Sequence, residues 1–207
     1  MRARAEGLSV DQADDRPYVS RGGQKLAAAL DAFGVDPAGK VCADLGSNVG
    51  GFVDCLLRRG AAKVYAIDTG YGTLSYGLRR DPRVVVMERT NAMHVALPEA
   101  ADLVTIDVGW TRQHHVLPNA ARMLKSAGRI ITLIKPHYEA DRKKTKGGVL
   151  DAHAARKVLE EVVNSIQGTG LYVEQTLASP IVGQKGNIEF LALLRPMTVT
   201  PDRSVSG

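Results

Sequence analysis

The stretch Val41–Phe52, VCADLGSNVGGF, constrains this chain more than any other. A short apolar run, Val41-Cys42-Ala43, stops at an acid, Asp44. Glycines follow at Gly46, Gly50 and Gly51, and the run Phe52-Val53-Asp54-Cys55-Leu56-Leu57 then reads as a helix. An apolar strand, a glycine turn and a helix make the first half of a nucleotide-binding βαβ unit. Glycine permits positive φ and leaves no Cβ in the path of an approaching ligand. A dinucleotide fingerprint starting at Gly46 would need glycine at position 48, where Asn48 stands. The loop is of another kind, Asp-x-Gly-x-x-x-Gly-Gly.

Strand and helix signals alternate through most of the remaining chain. SRGGQKLAAALDAFGV, from Ser20, predicts a helix with Leu26, Ala29, Leu30 and Phe33 on one face, stopped by Gly34. Further strands are expected at Val64–Ile67, Arg83–Glu88, Leu103–Val108 and Arg129–Ile134, and helices at 116–125 and from Asp151 to Gln167. Leu171–Leu177 and Ile188–Leu194 have no helix between them and are expected to pair antiparallel. The pattern predicts an α/β fold, a doubly wound, mostly parallel seven-stranded sheet with an antiparallel edge strand. At 207 residues one domain is expected, over 18–196, with a polar arm at 1–17 and a flexible tail at 197–207. No apolar run approaches the ~20 residues of a membrane helix, and the amino terminus lacks the apolar core of a signal peptide. The two cysteines, Cys42 and Cys55, fit neither a disulfide framework nor a zinc site. A cytoplasmic protein without a metal is expected, and its net charge of +5 permits a polyanionic partner.

Ligands of such sheets lie at the carboxyl ends of the strands, so the chemistry is read there. Asp68 ends the second strand, where a carboxylate accepts hydrogen bonds from the ribose hydroxyls of an adenosine cofactor; the alternative is a helix cap. Asn91, after the third strand, is placed to approach an adenine or to make a turn. Asp107 ends the fourth strand, and Lys135 ends the very apolar fifth, where it either faces the cleft or snorkels to solvent. Glu189 falls inside the last strand, where an unpaired buried carboxylate would be costly unless it faces outward. Lys25, behind Arg21-Gly22-Gly23, is by itself an ordinary helix lysine.

Together, Lys25, Asp107, Lys135 and Glu189 match in order and context the Lys-Asp-Lys-Glu tetrad of FtsJ-like ribose 2′-O-methyltransferases, and the chain resembles the TlyA/hemolysin branch of that family. The resemblance is carried by YVSRGGQKL, DPAGKV, VYAIDTGYG, ERTN, LIKPHYEA and SPIVGQKGNIEFL, from Tyr18 to Arg195. It implies a Rossmann-like methyltransferase domain. S-adenosylmethionine would be held by Asp44, Gly46, Ser47, Asn48, Gly50, Gly51, Phe52, Asp68, Asn91 and Asp107, and the tetrad would be catalytic, without a metal. The implied partner is RNA, ribosomal RNA or ribosomal subunits, with substrate contacts at Arg21, Trp110 and the basic run Arg142, Lys143, Lys144 and Lys146. Two features depart from the branch. Its members carry an amino-terminal RNA-binding domain, and the arm before Tyr18 is too short to be one. The segment after Asp107 reads VGWTRQHH where a Ser-Phe pair is expected, so Gly109 and Trp110 reshape the substrate pocket. Trp110 would stack on a base or pack in the core.

A lysine serves as the base only as a free amine, a form favoured by burial and a second cation and opposed by carboxylates, which nevertheless hold its geometry. The expected arrangement has Lys135 as base, Asp107 and Glu189 orienting it, and Lys25 supporting the free amine or holding a phosphate. Two other readings use the same scaffold: a small-molecule methyltransferase, and a non-catalytic RNA-binding or hemolysin-like protein. The intact tetrad separates the first reading from both.

Overall fold

The computed structural model describes residues 17–140 and 148–197. Its elements run α1 (Arg21–Phe33), β1 (Val41–Leu45), α2 (Gly51–Arg58), β2 (Lys63–Ile67), α3 (Tyr76–Arg80), β3 (Val84–Met87), β4 (Ala101–Ile106), α4 (Gln113–Arg122), β5 (Leu124–Ile134), α5 (Pro136–Glu139), α6 (Ala152–Ile166), β6 (Leu171–Ala178) and β7 (Phe190–Pro196). The seven strands form one sheet in the order β3-β2-β1-β4-β5-β7-β6. The first five are parallel, and β7 runs antiparallel to both β5 and β6. The antiparallel edge pair is therefore present, with the reversed strand one place in from the edge.

Alternation along each strand sends neighbouring side chains to opposite faces. Ala43, Leu45, Val104, Ile106, Ile130 and Ala192 pack on one side with Val116, Leu117 and Ala120 of α4 and Ala155, Val158 and Val162 of α6. Cys42, Val64, Ala66, Leu103, Ile131, Leu133 and Leu193 pack on the other with Leu26, Leu30 and Phe33 of α1 and Val53, Cys55 and Leu56 of α2. Burying each large aliphatic side chain contributes roughly 1.5–3 kcal/mol. Both cysteines are buried and unbonded, as small hydrophobes. Strand order reverses between β1 and β4, which opens the crevice outside their carboxyl ends.

The helix boundaries follow from local chemistry. Ser20 caps α1, its Oγ accepting from the Gly22 N–H, and Gly34 closes it in the left-handed conformation at φ 64°. Asp151 caps α6 through the Ala154 N–H. One expectation is corrected: Glu189 stands just before β7, not inside it. The β5–β7 register ends at Ile134 opposite Phe190, so Glu189 is the residue that follows this pair toward Lys135. The arm before residue 17 and the tail beyond residue 197 lie outside the described residues.

A cleft built around two lysine–carboxylate pairs

Gly46 turns the chain out of β1 with φ 86°, and a Cβ there would lie 2.6 Å from the Asp107 carbonyl oxygen. The two adjacent strand ends can approach this closely only because residue 46 has no side chain. The Gly46 and Ser47 N–H groups both donate to the Ile67 carbonyl, at 2.8 and 3.0 Å, which fixes the loop over β2. Gly51 starts α2 against the start of α1. Between these parts lies a cavity of 530 Å³ lined by Arg21, Lys25, Asp44, Gly46, Ser47, Asn48, Gly51, Phe52, Asp107, Trp110, Lys135 and Glu189. Gly50 does not join them. It faces Leu74 and Leu78, and its φ of 104° serves the turn rather than the cavity.

The four tetrad residues meet as two ion pairs. Lys135 Nζ lies 2.6 Å from Asp107 Oδ1 and donates to the Val108 carbonyl at 3.1 Å. Lys25, one turn after Arg21 on α1, is ion-paired and hydrogen-bonded to Glu189, and both are buried. The expectation that Asp107 and Glu189 both orient Lys135 therefore divides: Asp107 holds Lys135, while Glu189 turns to Lys25. A burial cost that would exclude an isolated carboxylate at Glu189 is offset by this partner. Gly183 permits the position, since a Cβ there would sit 2.1 Å from Glu189 Oε1.

The remaining acids fit an adenosylated amino acid. Asp44 is 1% exposed. Its Oδ1 accepts from Thr105 Oγ1 at 2.7 Å, while its buried Oδ2 has no protein partner. Burial, opposed by the Thr105 hydrogen bond, pushes its carboxyl up to about 7. Such an oxygen on a cavity wall suits a cationic ligand group such as an α-ammonium. A second cavity of 230 Å³ continues from Gly46, Asn48 and Asp107 to Asp68, Thr90, Asn91 and Met93. Asp68 accepts from the Asn48 N–H at 2.8 Å and the Gly70 N–H at 2.7 Å, so it shapes the loop rather than capping α3. Two of its roughly four acceptor sites remain for ribose hydroxyls. Asn91 makes a turn, accepting from the Met93 N–H at 2.9 Å, and still lines this cavity.

Trp110 is 81% exposed, which removes the core-packing alternative. Its ring lies 4.9 Å from that of Tyr138, and Lys135 Nζ lies 5.9 Å from the same Tyr138 ring. Sequence reasoning missed Tyr138 and its neighbour His137, although Pro136 directly after Lys135 is a helix-start signal. It also missed Gln113 and Glu139. The Glu139 carboxylate accepts the Gln113 N–H at 2.8 Å and so joins the loop after β4 to the helix after β5. Arg142, Lys143, Lys144 and Lys146 lie outside the described residues. Among the described residues no cluster of His, Cys, Asp and Glu is arranged to hold a metal.

A doubly wound sheet whose switch point carries this glycine loop, an acid at the end of β2 and a lysine–carboxylate site at the ends of β4 and β5 defines a Rossmann-like, S-adenosylmethionine-dependent methyltransferase. Residues 18–195 match the FtsJ-like methyltransferase family, and the chain belongs to it. It is 40% identical over 206 residues to the 16S/23S rRNA (cytidine-2′-O)-methyltransferase TlyA of Mycobacterium tuberculosis, covering 97% of this chain and 75% of that one. It is 38% identical over 190 residues to Hemolysin A of Brachyspira hyodysenteriae, covering 89% and 79% of the two chains. A hemolysin-type protein of Streptococcus thermophilus shares its structure with a TM-score of 0.85 at 35% identity, over 90% of this chain and 70% of that one.

Proposed function

We propose that the protein transfers the methyl group of S-adenosylmethionine to a ribose 2′-hydroxyl of RNA, and that the RNA is ribosomal. The observation that carries this reading is the convergence of Lys25–Glu189 and Lys135–Asp107 in one cavity beside the glycine loop. The naming of a similar protein, TlyA, as an rRNA cytidine-2′-O-methyltransferase supports it. In this reading residues 18–196 are the catalytic domain, and Asp44, Gly46, Ser47, Asn48, Gly51, Phe52, Asp68 and Asn91 hold the cofactor.

A sugar hydroxyl is a weak nucleophile, so its proton must pass to a positioned base as it attacks in line. Bound S-adenosylmethionine supplies a methyl group made electrophilic by the sulfonium charge. To act as base, Lys135 must first release its own proton from the pair with Asp107, and it then takes the proton of the hydroxyl. Asp107, 2.6 Å away, then stabilises the ammonium that forms, and the Val108 carbonyl fixes its direction. Lys25, held in place by Glu189, reaches the substrate phosphate. Trp110 offers its exposed face to a base, and Arg21 with the basic run Arg142, Lys143, Lys144 and Lys146 contacts the backbone.

Supplying labelled S-adenosylmethionine with ribosomal subunits and free ribosomal RNA tests the reading. The wild-type protein transfers label to RNA, and Lys135→Ala transfers about 100-fold less or worse while binding the cofactor normally. Full transfer by Lys135→Ala contradicts the assignment.

A further inference from the structure

Several cations of this protein lie over tyrosine rings, and most of them are also neutralised. Arg58 over Tyr18 is paired with Asp54, Lys63 over Tyr65 with Glu99, and Arg195 over Tyr172 with Glu174. Arg80 over Tyr76, at 5.6 Å, and Arg89 over Tyr71, at 4.1 Å, differ. Neither arginine has a carboxylate partner among the described residues, although their neighbours Arg79 and Arg83 are paired with Glu88 and Asp81. Tyr71 and Tyr76 are 71% and 73% exposed. Two aromatic rings and two guanidinium groups without a carboxylate partner among the described residues are thus exposed at the surface.

They belong to one held unit. The Glu88 carboxylate accepts the Gly72 N–H at 2.8 Å and the Thr73 N–H at 3.1 Å and is ion-paired with Arg79. Tyr71, Arg80 and Arg89 are each adjacent in sequence to a residue of this cluster. The Arg79 guanidinium and the loop N–H groups keep the Glu88 carboxyl down at about 2, so the cluster stays charged at any physiological pH. The unit adjoins the cleft. It follows β2 and β3 on the side of Asp68 and Asn91, and the Ser75 N–H donates to the Val49 carbonyl of the glycine loop at 3.1 Å.

We propose that Tyr71–Arg89 and Tyr76–Arg80 form a second RNA contact on the cofactor side of the cleft, which binds the single-stranded chain flanking the target nucleotide by base stacking and phosphate pairing. This rests on the ribose methyltransferase reading above. Exposed aromatic faces and guanidinium planes stack unpaired bases, and free guanidinium charge takes phosphates. Bases inside a duplex are not available to such a surface, so single strands are preferred.

The test measures binding of a mixed-sequence single-stranded RNA, and of the same strand in a duplex, against salt concentration. Tyr71→Ala/Tyr76→Ala weakens single-strand binding by about 10-fold or more. Arg80→Gln/Arg89→Gln lowers the salt slope by about 1.5, as expected for two phosphates. Cofactor affinity and melting temperature stay at wild-type values in both. Single-strand affinity and slope unchanged in these variants would overturn the proposal, and so would an equal loss on duplex RNA. Methyl transfer by the wild-type protein is followed in parallel. Its absence from every RNA refutes the ribose reading, whereas transfer with unchanged binding by the variants refutes this surface alone.

Discussion

Asp44 concentrates the chemistry of the cleft in one side chain. It is legible in sequence as the acid that ends an apolar strand, but its state depends on Thr105 from β4 and on burial, which the sequence does not display. Its carboxyl is raised to about 7, so the folded chain keeps a proton that the unfolded chain releases near 4. The folded state then binds more protons across that window. Its contribution to stability is highest below the unfolded value and is lost as pH rises through about 7. A cationic cofactor group at Oδ2 favours the carboxylate, and binding therefore expels the proton. Calorimetric titration with S-adenosylmethionine should show affinity increasing from about pH 6 to about pH 8. Asp44→Asn should bind more weakly and lose this dependence; a variant with the wild-type profile would show that Asp44 does not face the cofactor.

Among the elements, helices that carry their own caps had legible starts, and the helix capped from a distance was legible but its start was not. α1 and α6 announce themselves through Ser20 and Asp151. α4 begins at Gln113, earlier than the expected 116, and its N-cap Arg112 makes no side-chain cap hydrogen bond. Glu139, 26 residues further on, accepts the first N–H instead. Thr132 Oγ1 donates to Gln113 Oε1 at 2.7 Å, which ties the same helix end to β5. No local pattern encodes a cap supplied across the sheet. Burial raises the Glu139 carboxyl, so the arrangement holds a carboxyl at some cost. Glu139→Ala should remove about 1 kcal/mol, a fall of about 2–4 °C in melting temperature, and should reduce methyl transfer by loosening Trp110 against Tyr138. Glu139→Gln retains an acceptor and should restore most of both. Equal losses in the two variants would mean that the charge, not the cap, is what matters.

At the scale of the molecule, the alternation of strand and helix signals was enough to predict the sheet. The tetrad was legible as four residues but not as two pairs. Glu189 could be assigned to Lys25 only once β7 was seen to be reversed beside β5 and Gly183 to leave room for the carboxylate. The exposed Tyr71 and Tyr76 were not legible at all, because tyrosines in a glycine-rich turn and a short helix look like packing residues until their exposure is known. No helix among the described residues is long and apolar enough to cross a membrane. The acceptor atom distinguishes ribose methylation from methylation of a base or of a small molecule. The most direct test is to digest the labelled RNA with alkali and identify where the methyl group resides. Label is expected in alkali-resistant dinucleotides, because a methylated 2′-oxygen cannot attack the neighbouring phosphate. Label recovered on a base, or only in small molecules, would contradict ribose methylation.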